Sequence, residues 1–390
     1  MHDCAVRMQR MLAIVTLGLV LMSVIPESVH AATGTVVGNL TMKTLPMPQY
    51  SDGRTRTIRI WTPANYDASN KARKYPVVYM HDGQNLFDAA TSYAGEWRVD
   101  ETITAMMESG YGGAIVVGID NSADRLNELS PTWPRSSNEF IKSPSGDKYA
   151  DFIVKTVKPF IDKNYNTFSD RAHTGVGGSS MGGIISFFIG LRYPAVFGKV
   201  LAFSPSFPLY ASKKYLAEIA KHDFSKRNAA PRLYFYAGGA GDGAMSEGGI
   251  ARSLPAVIKA LKSAGYPKAE LTSYVWDVAQ HNEGFWAEVF PTAFEWLFLT
   301  DTDRAVMAAK TLALGFADGD SLTSVTGNLT LDTAWDYGAK VSWKSNLPKV
   351  ISARGKFTQP TTPQQVVLTA TVTVGKVVRS RSFTVRILAR

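Results

Sequence analysis

The sequence predicts an α/β protein with a mostly parallel sheet and helices on both of its faces, followed by a small β-sandwich. Between residues 35 and 299, short and nearly continuous apolar runs alternate with segments of helical periodicity. Beyond Asp301 this alternation stops, and short Thr- and Val-rich runs separated by Gly, Asn, Asp and Pro follow. The hydrophobic content of 45% and aromatic content of 11% are typical of packed globular domains rather than disordered chains.

The first residues are expected to form an export signal. Arg7 and Arg10 precede an almost continuous apolar run over residues 11–25, and Val29-His30-Ala31 fits a small-residue cleavage site. The alternative is a membrane anchor, but the run is shorter than the ~20 residues that span a bilayer. We therefore expect cleavage near Ala31–Ala32, a secreted or periplasmic protein, and no stable membrane span after cleavage.

Cysteine content and charge narrow the possible functions. The only cysteine, Cys4, lies before the apolar run, so the mature chain is expected to lack disulfides, a thiol nucleophile and zinc–thiolate sites. The net charge is +9, and residues 304–390 carry +8 of it through 12 Lys+Arg and 4 Asp. This basic segment could contact an acidic polymer or a membrane surface, or it could simply aid solubility. No nucleic-acid partner is predicted.

The periodicity of the apolar residues predicts the elements in order. Strands are predicted at 55–63, 75–83, 112–120, 199–203, 232–237 and 271–275, and helices at 99–108, 151–165, 181–192, 250–264 and 283–299. After a short Ala-rich stretch at 305–314, the alternating runs of the sandwich are predicted at 321–331, 339–346, 365–374 and 382–388. The predicted organisation is a signal peptide (1–31), an α/β domain (32–302) and a β-sandwich domain (303–390).

The stretch GVGGSSMGGI, residues 175–184, is the first segment with a chemical signature. It lacks the lysine of a P-loop, and it does not fit G-x-G-x-x-G, because the third glycine position falls on Ser180. It matches G-x-S-x-G in one register, with Ser180 between Gly178 and Gly182. A tight strand-to-helix turn of this kind exposes the serine hydroxyl at the carboxyl end of the sheet, and the Met181 N–H can point at an oxyanion. Ser180 is therefore the predicted nucleophile.

A serine nucleophile needs a base, and the base needs an acid that orients it. In proteins that present a serine on a strand-to-helix turn of this kind, the chain order is serine, then acid, then histidine. His281 fits this order, because it follows both Ser180 and a plausible acid. Asp242, in a glycine-rich turn after the strand at 232–237, is the predicted acid; Asp277 is the runner-up and Glu283 a weaker candidate. The remaining histidines of the mature chain are expected to be structural or solvated: His81, His173 and His222.

The second oxyanion donor is expected in the loop after an early strand, within YMHDGQNLFD (79–88). The backbone N–H groups near Gly83 and Gln84 are the predicted donors, and the alternative is an ordinary glycine turn. The sequence shows no H-E-x-x-H motif and no paired histidines, so no metal and no cofactor are predicted.

With these motifs placed, residues 55–299 resemble the branch of the α/β-hydrolases that includes esterase D, the feruloyl and acetylxylan esterases of carbohydrate esterase family one, and ferric-siderophore esterases. The resemblance rests on YMHDGQNLFD, GGSSMGG, YAGGAGDG and HNEGFW. It implies an α/β-hydrolase fold and ester hydrolysis, with Ser180 as nucleophile, Asp242 as acid and His281 as base. The chain departs from the family pattern in the turn before the acid, which is a glycine-rich run here. The stretch VSWKSNLPKVISARGKFTQP resembles a bacterial immunoglobulin-like domain, a module that often accompanies secreted glycan-active enzymes.

The expected function is that of a secreted or periplasmic serine carboxylic-ester hydrolase. It would work through an acyl-enzyme and remove acetyl or feruloyl groups from an ester substrate, a decorated polysaccharide or oligosaccharide. Three alternatives remain open: a ferric-siderophore (trilactone) esterase, an acyltransferase, and a catalytically silent polysaccharide-binding module.

Overall fold

Strands and helices alternate along the chain as far as residue 311. The computed structural model describes residues 34–93, 95–133, 141–226, 228–240 and 247–389. The signal peptide (1–31) and Cys4 lie outside the described residues. The strands are β1 (Asn39–Pro46), β2 (Thr55–Thr62), β3 (Val77–His81), β4 (Ile115–Ile119), β5 (Thr174–Ser179), β6 (Lys199–Phe203), β7 (Arg232–Gly238), β8 (Leu271–Trp276), β9 (Ala334–Trp335), β10 (Ala339–Ser345), β11 (Gln364–Val374) and β12 (Val377–Ile387). The α-helices are α1 (Val99–Glu108), α2 (Arg125–Glu128), α3 (Gly146–Phe152), α4 (Lys158–Asn164), α5 (Met181–Arg192), α6 (Ser212–Ala220), α7 (Glu247–Ser263), α8 (Glu283–Phe298) and α9 (Asp301–Thr311).

The first eight strands form one sheet in the order β1-β2-β4-β3-β5-β6-β7-β8. β1 and β2 run antiparallel to their neighbours, and all pairs from β4 to β8 are parallel. The carboxyl ends of the parallel strands therefore meet at one edge of the sheet, where ligands and catalytic groups collect in open α/β sheets.

Helices cover both faces of this sheet, and each face has its own core. In β3, Val77 and Tyr79 belong to one core, whereas Val78 and Met80 belong to the other, as expected from alternating side-chain directions. Residues of α5 and α7 pack in the first core, and residues of α1 and α8 pack in the second. Because both faces are covered, β3 and β4 are buried along their whole length. The predicted fold class is thereby confirmed for the larger part of the chain.

Among the elements that differ from the prediction, three in the α/β part do so for identifiable physical reasons. The helix predicted at 151–165 begins earlier and consists of α3, a π-helical turn (Ile153–Val157) and α4. β1 was missed because it is an edge strand whose residues are mostly exposed, so it has no alternating apolar pattern. α6 was missed because its nine residues bury only Tyr215 and Ile219, too few apolar positions to show helical periodicity.

The last four strands form a separate antiparallel sheet in the order β12-β11-β10-β9. Its apolar face packs with Ala305 and Ala308 of α9 and with apolar residues of the segments 312–329 and 347–351, an arrangement consistent with the predicted small sandwich. The run predicted as a strand at 321–331 forms only isolated bridges. It turns there because the Asp320 carboxylate accepts hydrogen bonds from the N–H groups of Thr326 and Gly327.

Within the described part of the chain, the longest apolar helices fall short of the length and hydrophobicity that crossing a membrane requires.

Candidate active site

The turn between β5 and α5 has the backbone of a nucleophile elbow. Ser180 connects the two elements with φ 57° and ψ −119°, a conformation that a residue with a side chain rarely adopts. Its N–H donates to the carbonyl oxygen of Phe203 at 2.9 Å, which ties the turn to β6. A Cβ at Gly183 would clash with the same Phe203 carbonyl, so glycine is required where the helix approaches the strand.

The Ser180 hydroxyl lies beside a second hydroxyl. Ser180 Oγ and Ser206 Oγ are 3.4 Å apart, and the Ser206 N–H donates to the Ser180 carbonyl oxygen at 3.2 Å. Ser206 is buried, whereas Ser180 is partly exposed. The loop after β6 therefore packs directly against the elbow and leaves the Ser180 side chain accessible.

The loop after β3 begins next to this elbow. A Cβ at Gly182 would lie 3.2 Å from His81 Cβ, so His81 packs against the start of α5. Asp82 follows in the left-handed region at φ 56°, ψ 50° and starts a 3₁₀ turn, Gly83–Asn85. The first N–H groups of such a turn have no partner within it, and Gly83 and Gln84, the predicted oxyanion donors, are its first two residues. The Gln84 side chain itself is engaged with Asn121, at 2.6 Å and 3.1 Å.

An ion pair fixes the strained Asp82. Arg125 donates to both carboxylate oxygens at 2.6 Å and 2.7 Å, and Asn121 Nδ2 donates to Oδ1 at 2.6 Å. Burial raises the pKa of Asp82, but the charge and hydrogen bonds of Arg125 more than offset this and hold that pKa below its ordinary value. The ionised Asp82 therefore anchors the loop that carries Gly83 and Gln84.

His81 has the structural role expected of it. Its ring is 1% exposed, and Nδ1 is 2.9 Å from the Tyr149 hydroxyl. Burial lowers the pKa of His81 to about 4. A neutral, buried imidazole bonded to a tyrosine supports the backbone of the loop and does not face a substrate.

His281 lies in the exposed loop between β8 and α8. Its ring stands edge-to-face against Trp286, with ring centroids 5.0 Å apart and an interplanar angle of 84°. Trp286 Nε1 donates to Ser204 Oγ at 3.0 Å. The loop of Ser204 and Ser206 thus contacts Ser180 on one side and Trp286, which packs against His281, on the other.

A buried hydrogen bond joins the histidine segment to the 3₁₀ turn. Glu283, two residues after His281, is 7% exposed, and its Oε1 accepts from Asn85 Nδ2 at 3.0 Å. Burial raises the pKa of Glu283. The weaker acid candidate from the sequence is therefore committed to Asn85, and it holds two of the site's loops together.

Of the other two acid candidates, the structure describes Asp277 but not Asp242. Asp242, the predicted acid, lies outside the described residues; β7, after which the sequence places it, ends at Gly238. Asp277, the runner-up, is described and is exposed directly after β8. Asp223, which also lies between Ser180 and His281 in the sequence, is exposed and accepts a hydrogen bond from the Ser225 hydroxyl.

Sequence reasoning missed the residues that support the site. Each of these supporting residues contacts a predicted site residue or a loop of the site. They are Arg125, Asn85, Ser204, Ser206 and Trp286. Asn85 and Trp286 stand inside the motifs YMHDGQN and HNEGFW, so their position beside predicted site residues was the available signal. Arg125 begins the short helix α2 and the two serines lie in the loop after β6; no recognisable motif marks them, and only the fold brings them to the site.

Among the described residues, one cluster of three acidic side chains is close enough together to hold a cation. It consists of Glu96, Asp100 and Glu101, whose carboxylate oxygens lie within 4.8 Å of one another. Asp100 is buried and accepts from the Val37 N–H at 2.7 Å, and burial raises its pKa to about 8.

The sheet order, the helices on both faces and the strained serine turn are those of an α/β-hydrolase. The chain belongs to the family described as "Putative esterase", whose model matches residues 51–297, and it is a carboxylic ester hydrolase. Residues 305–390 match the model of the atrophied bacterial Ig domain.

Individual relatives are more distant. The uncharacterized protein YbbA of Bacillus subtilis is 25% identical over 257 residues, which cover 62% of this chain and 92% of YbbA. An endo-1,4-beta-xylanase/feruloyl esterase of Xylanibacter ruminicola is 24% identical over 150 residues, which are 38% of this chain but only 19% of that protein. The ferric enterobactin esterase of Salmonella typhimurium superposes with a TM-score of 0.50 at 17% identity, covering 67% of this chain and 59% of that one, and this likeness shows the fold.

We predict that Glu283→Ala lowers kcat for a small ester such as p-nitrophenyl acetate by about tenfold or more, because the buried link to Asn85 is lost and an amide donor is left unpaired. Glu283→Gln keeps an acceptor oxygen for Asn85 and is expected to retain most of the activity. Steady-state kinetics of both variants, with thermal unfolding as the control for folding, measure this. A Gln variant as inactive as the Ala variant would mean that the negative charge of Glu283, rather than its hydrogen bond, matters.

Proposed function

We propose that this protein is an exported serine esterase that works through a Ser180–His281–Asp242 triad. The observation that carries the proposal is the backbone of Ser180: a non-glycine residue at φ 57° between a parallel strand and a helix is strained, and such strain persists where it presents a reactive group. The position of His281 after the last strand of the sheet and the link from Trp286 through the Ser204–Ser206 loop to the elbow support the choice of base.

In the proposed mechanism, Ser180 Oγ attacks the ester carbonyl carbon while His281 takes its proton. The oxygen of the tetrahedral intermediate accepts hydrogen bonds from the N–H groups of Met181 and of Gly83 or Gln84. His281 then passes the proton to the leaving alcohol, and Asp242 stabilises the imidazolium. Water attacks the acyl-enzyme by the same steps and releases the acid and the free serine. No cofactor takes part.

We infer that the substrate is an acetyl or feruloyl ester of a polysaccharide or oligosaccharide. The likeness to a xylanase/feruloyl esterase supports this class. So does Tyr93, whose N–H donates to Asn85 Oδ1 at 3.1 Å while the residue is 94% exposed. An aromatic ring held in water beside the oxyanion loop suits stacking on a flat aryl group or a sugar ring. The apolar signal sequence and the appended Ig-like domain support action outside the cytoplasm.

Ser180→Ala is expected to lower kcat for p-nitrophenyl acetate by at least about 10³-fold, because it removes the nucleophile. Ser179→Ala is the matched control: it deletes the neighbouring hydroxyl, which the elbow does not present, and it is expected to stay within about threefold of wild type. Loss of activity in Ser179→Ala with retention in Ser180→Ala would reverse the choice of register.

The same assay shows whether Asp242 or Asp277 is the acid of the triad. Asp242→Asn is expected to lower kcat by about 10³- to 10⁴-fold, because the imidazolium loses its counter-charge and its tautomer is no longer fixed. Asp277→Asn is expected to leave kcat near wild type, because its carboxylate is exposed. If Asp277→Asn is the inactive variant, Asp277 is the acid.

A substrate panel tests the proposed class. The highest kcat/KM is expected for a feruloylated arabinoxylan oligosaccharide or acetylated xylan rather than for a siderophore trilactone. Tyr93→Ala is expected to raise KM for the preferred glycan ester by about three- to tenfold, while Tyr93→Phe retains it and p-nitrophenyl acetate turnover is unaffected. A higher kcat/KM for the trilactone would overturn the carbohydrate assignment in favour of a siderophore esterase.

A further inference from the structure

Three of the four strands of the C-terminal sheet stand in a segment without acidic residues. From Tyr337 to Arg390 the chain contains ten lysine and arginine residues and no aspartate or glutamate. β10, β11 and β12 all lie in this segment. The excess of positive charge in the C-terminal part is therefore not balanced within the sheet.

The two faces of this sheet differ. One face is buried, with Val341, Trp343 and Leu368 in the core and α9 against it, where Arg381 Nη1 donates to the carbonyl oxygen of Ala309 at 2.8 Å. The other face, called here the outer sheet face, is formed by the alternate residues of the same three strands. It consists of Lys340, Ser342, Lys344, Gln365, Val367, Thr369, Thr371, Thr373, Val378, Ser380, Ser382, Thr384 and Arg386.

Register arranges these residues in rows across the strands. Ser342, Thr371 and Ser380 form one row, and Lys344, Thr369 and Ser382 form the next. Thr369 Oγ1 and Ser382 Oγ are 3.1 Å apart. Neighbouring rows on one face lie about 7 Å apart and strands about 4.8 Å apart, so the outer sheet face presents a regular array of hydroxyls.

Exposed cations border the hydroxyl array. Lys340, Lys344 and Arg386 are all exposed, and the sheet that carries them offers no carboxylate to neutralise them. The outer sheet face contains no aromatic residue, and Val367 and Val378 are its only apolar members. Its chemistry is thus hydroxyl-rich and positive, with little that is apolar.

We propose that the outer sheet face binds an acidic polysaccharide, with the cations pairing with uronate carboxylates and the Ser and Thr hydroxyls bonding to sugar hydroxyls. A single-stranded nucleic acid would call for aromatic side chains on which its bases stack, and an anionic membrane would call for apolar side chains that insert. The outer sheet face supplies neither. This binding is independent of the triad proposed above.

The test uses the full mature chain and polygalacturonate as the probe, by affinity electrophoresis with dextran as the neutral polymer. The double variant Lys340→Glu and Lys344→Glu is expected to weaken binding about tenfold or more at low salt and to flatten the salt dependence. The control, Lys213→Glu with Lys214→Glu, makes the same charge change on exposed residues of α6 and is expected to change binding less than twofold. Thr371→Val keeps all charges and removes one central hydroxyl, and it is expected to weaken binding several-fold.

The outcomes separate this proposal from the proposed catalytic function. Ser180→Ala should still bind polygalacturonate, and the Lys340/Lys344 variant should still hydrolyse p-nitrophenyl acetate at the wild-type rate. Equal weakening by both double variants, equal retardation by dextran, or tighter binding to a DNA duplex or to phosphatidylglycerol vesicles would each overturn the assignment to an acidic polysaccharide.

Discussion

The strained backbone of Ser180 is the constraint on which the rest of the site depends. A non-glycine residue at this φ costs about 1–3 kcal/mol, so neighbouring structure has to hold it. Three backbone hydrogen bonds do so: the Ser180 N–H donates to Phe203, and the Ser180 carbonyl accepts from Ile184 and Ser206. The bond from the Ser180 N–H to Phe203 forms only when β5 and β6 pair in the observed register, with Ser179 opposite Phe203. The parallel sheet therefore sets the position of Ser180, the predicted nucleophile.

The other parts of the site are held by their neighbours rather than by their own local structure. Asp82 is kept left-handed by the Arg125 ion pair, and Asn85 is held by Glu283 from the opposite side of the site. Trp286, itself fixed by Ser204, supports the His281 ring. Each loop is thus bonded to a different element of the fold, and this cross-linking gives preorganised geometry to loops that local backbone preference alone would leave mobile.

The sequence was sufficient for features that depend on local pattern and insufficient for those that depend on contacts. The bounds of α1, α5 and β6 match their prediction because runs and periodicities of apolar residues are local signals. Ser180 could be chosen by register alone. The Glu283–Asn85 bond joins residues 198 positions apart, and no local pattern encodes it. The same holds for Arg125, whose partner Asp82 became evident only when β3 and the loop after β4 were placed together.

Most of the net positive charge lies in the C-terminal part of the chain, and this limits how that part and the α/β part can work together. The screening length at physiological ionic strength is about 8 Å, so the exposed cations of the C-terminal sheet act on groups that touch them rather than on groups farther away. Their effect on a polymer-borne ester would be one of local concentration: a bound chain keeps its other ester groups near the enzyme, and each further encounter becomes intramolecular. Such a gain appears for polymeric esters and vanishes for small ones, because a free small ester gains nothing from a tethered chain. In the proposed arrangement, binding by the sheet would contribute through encounter frequency, and chemistry at the elbow would contribute through stabilisation of the transition state.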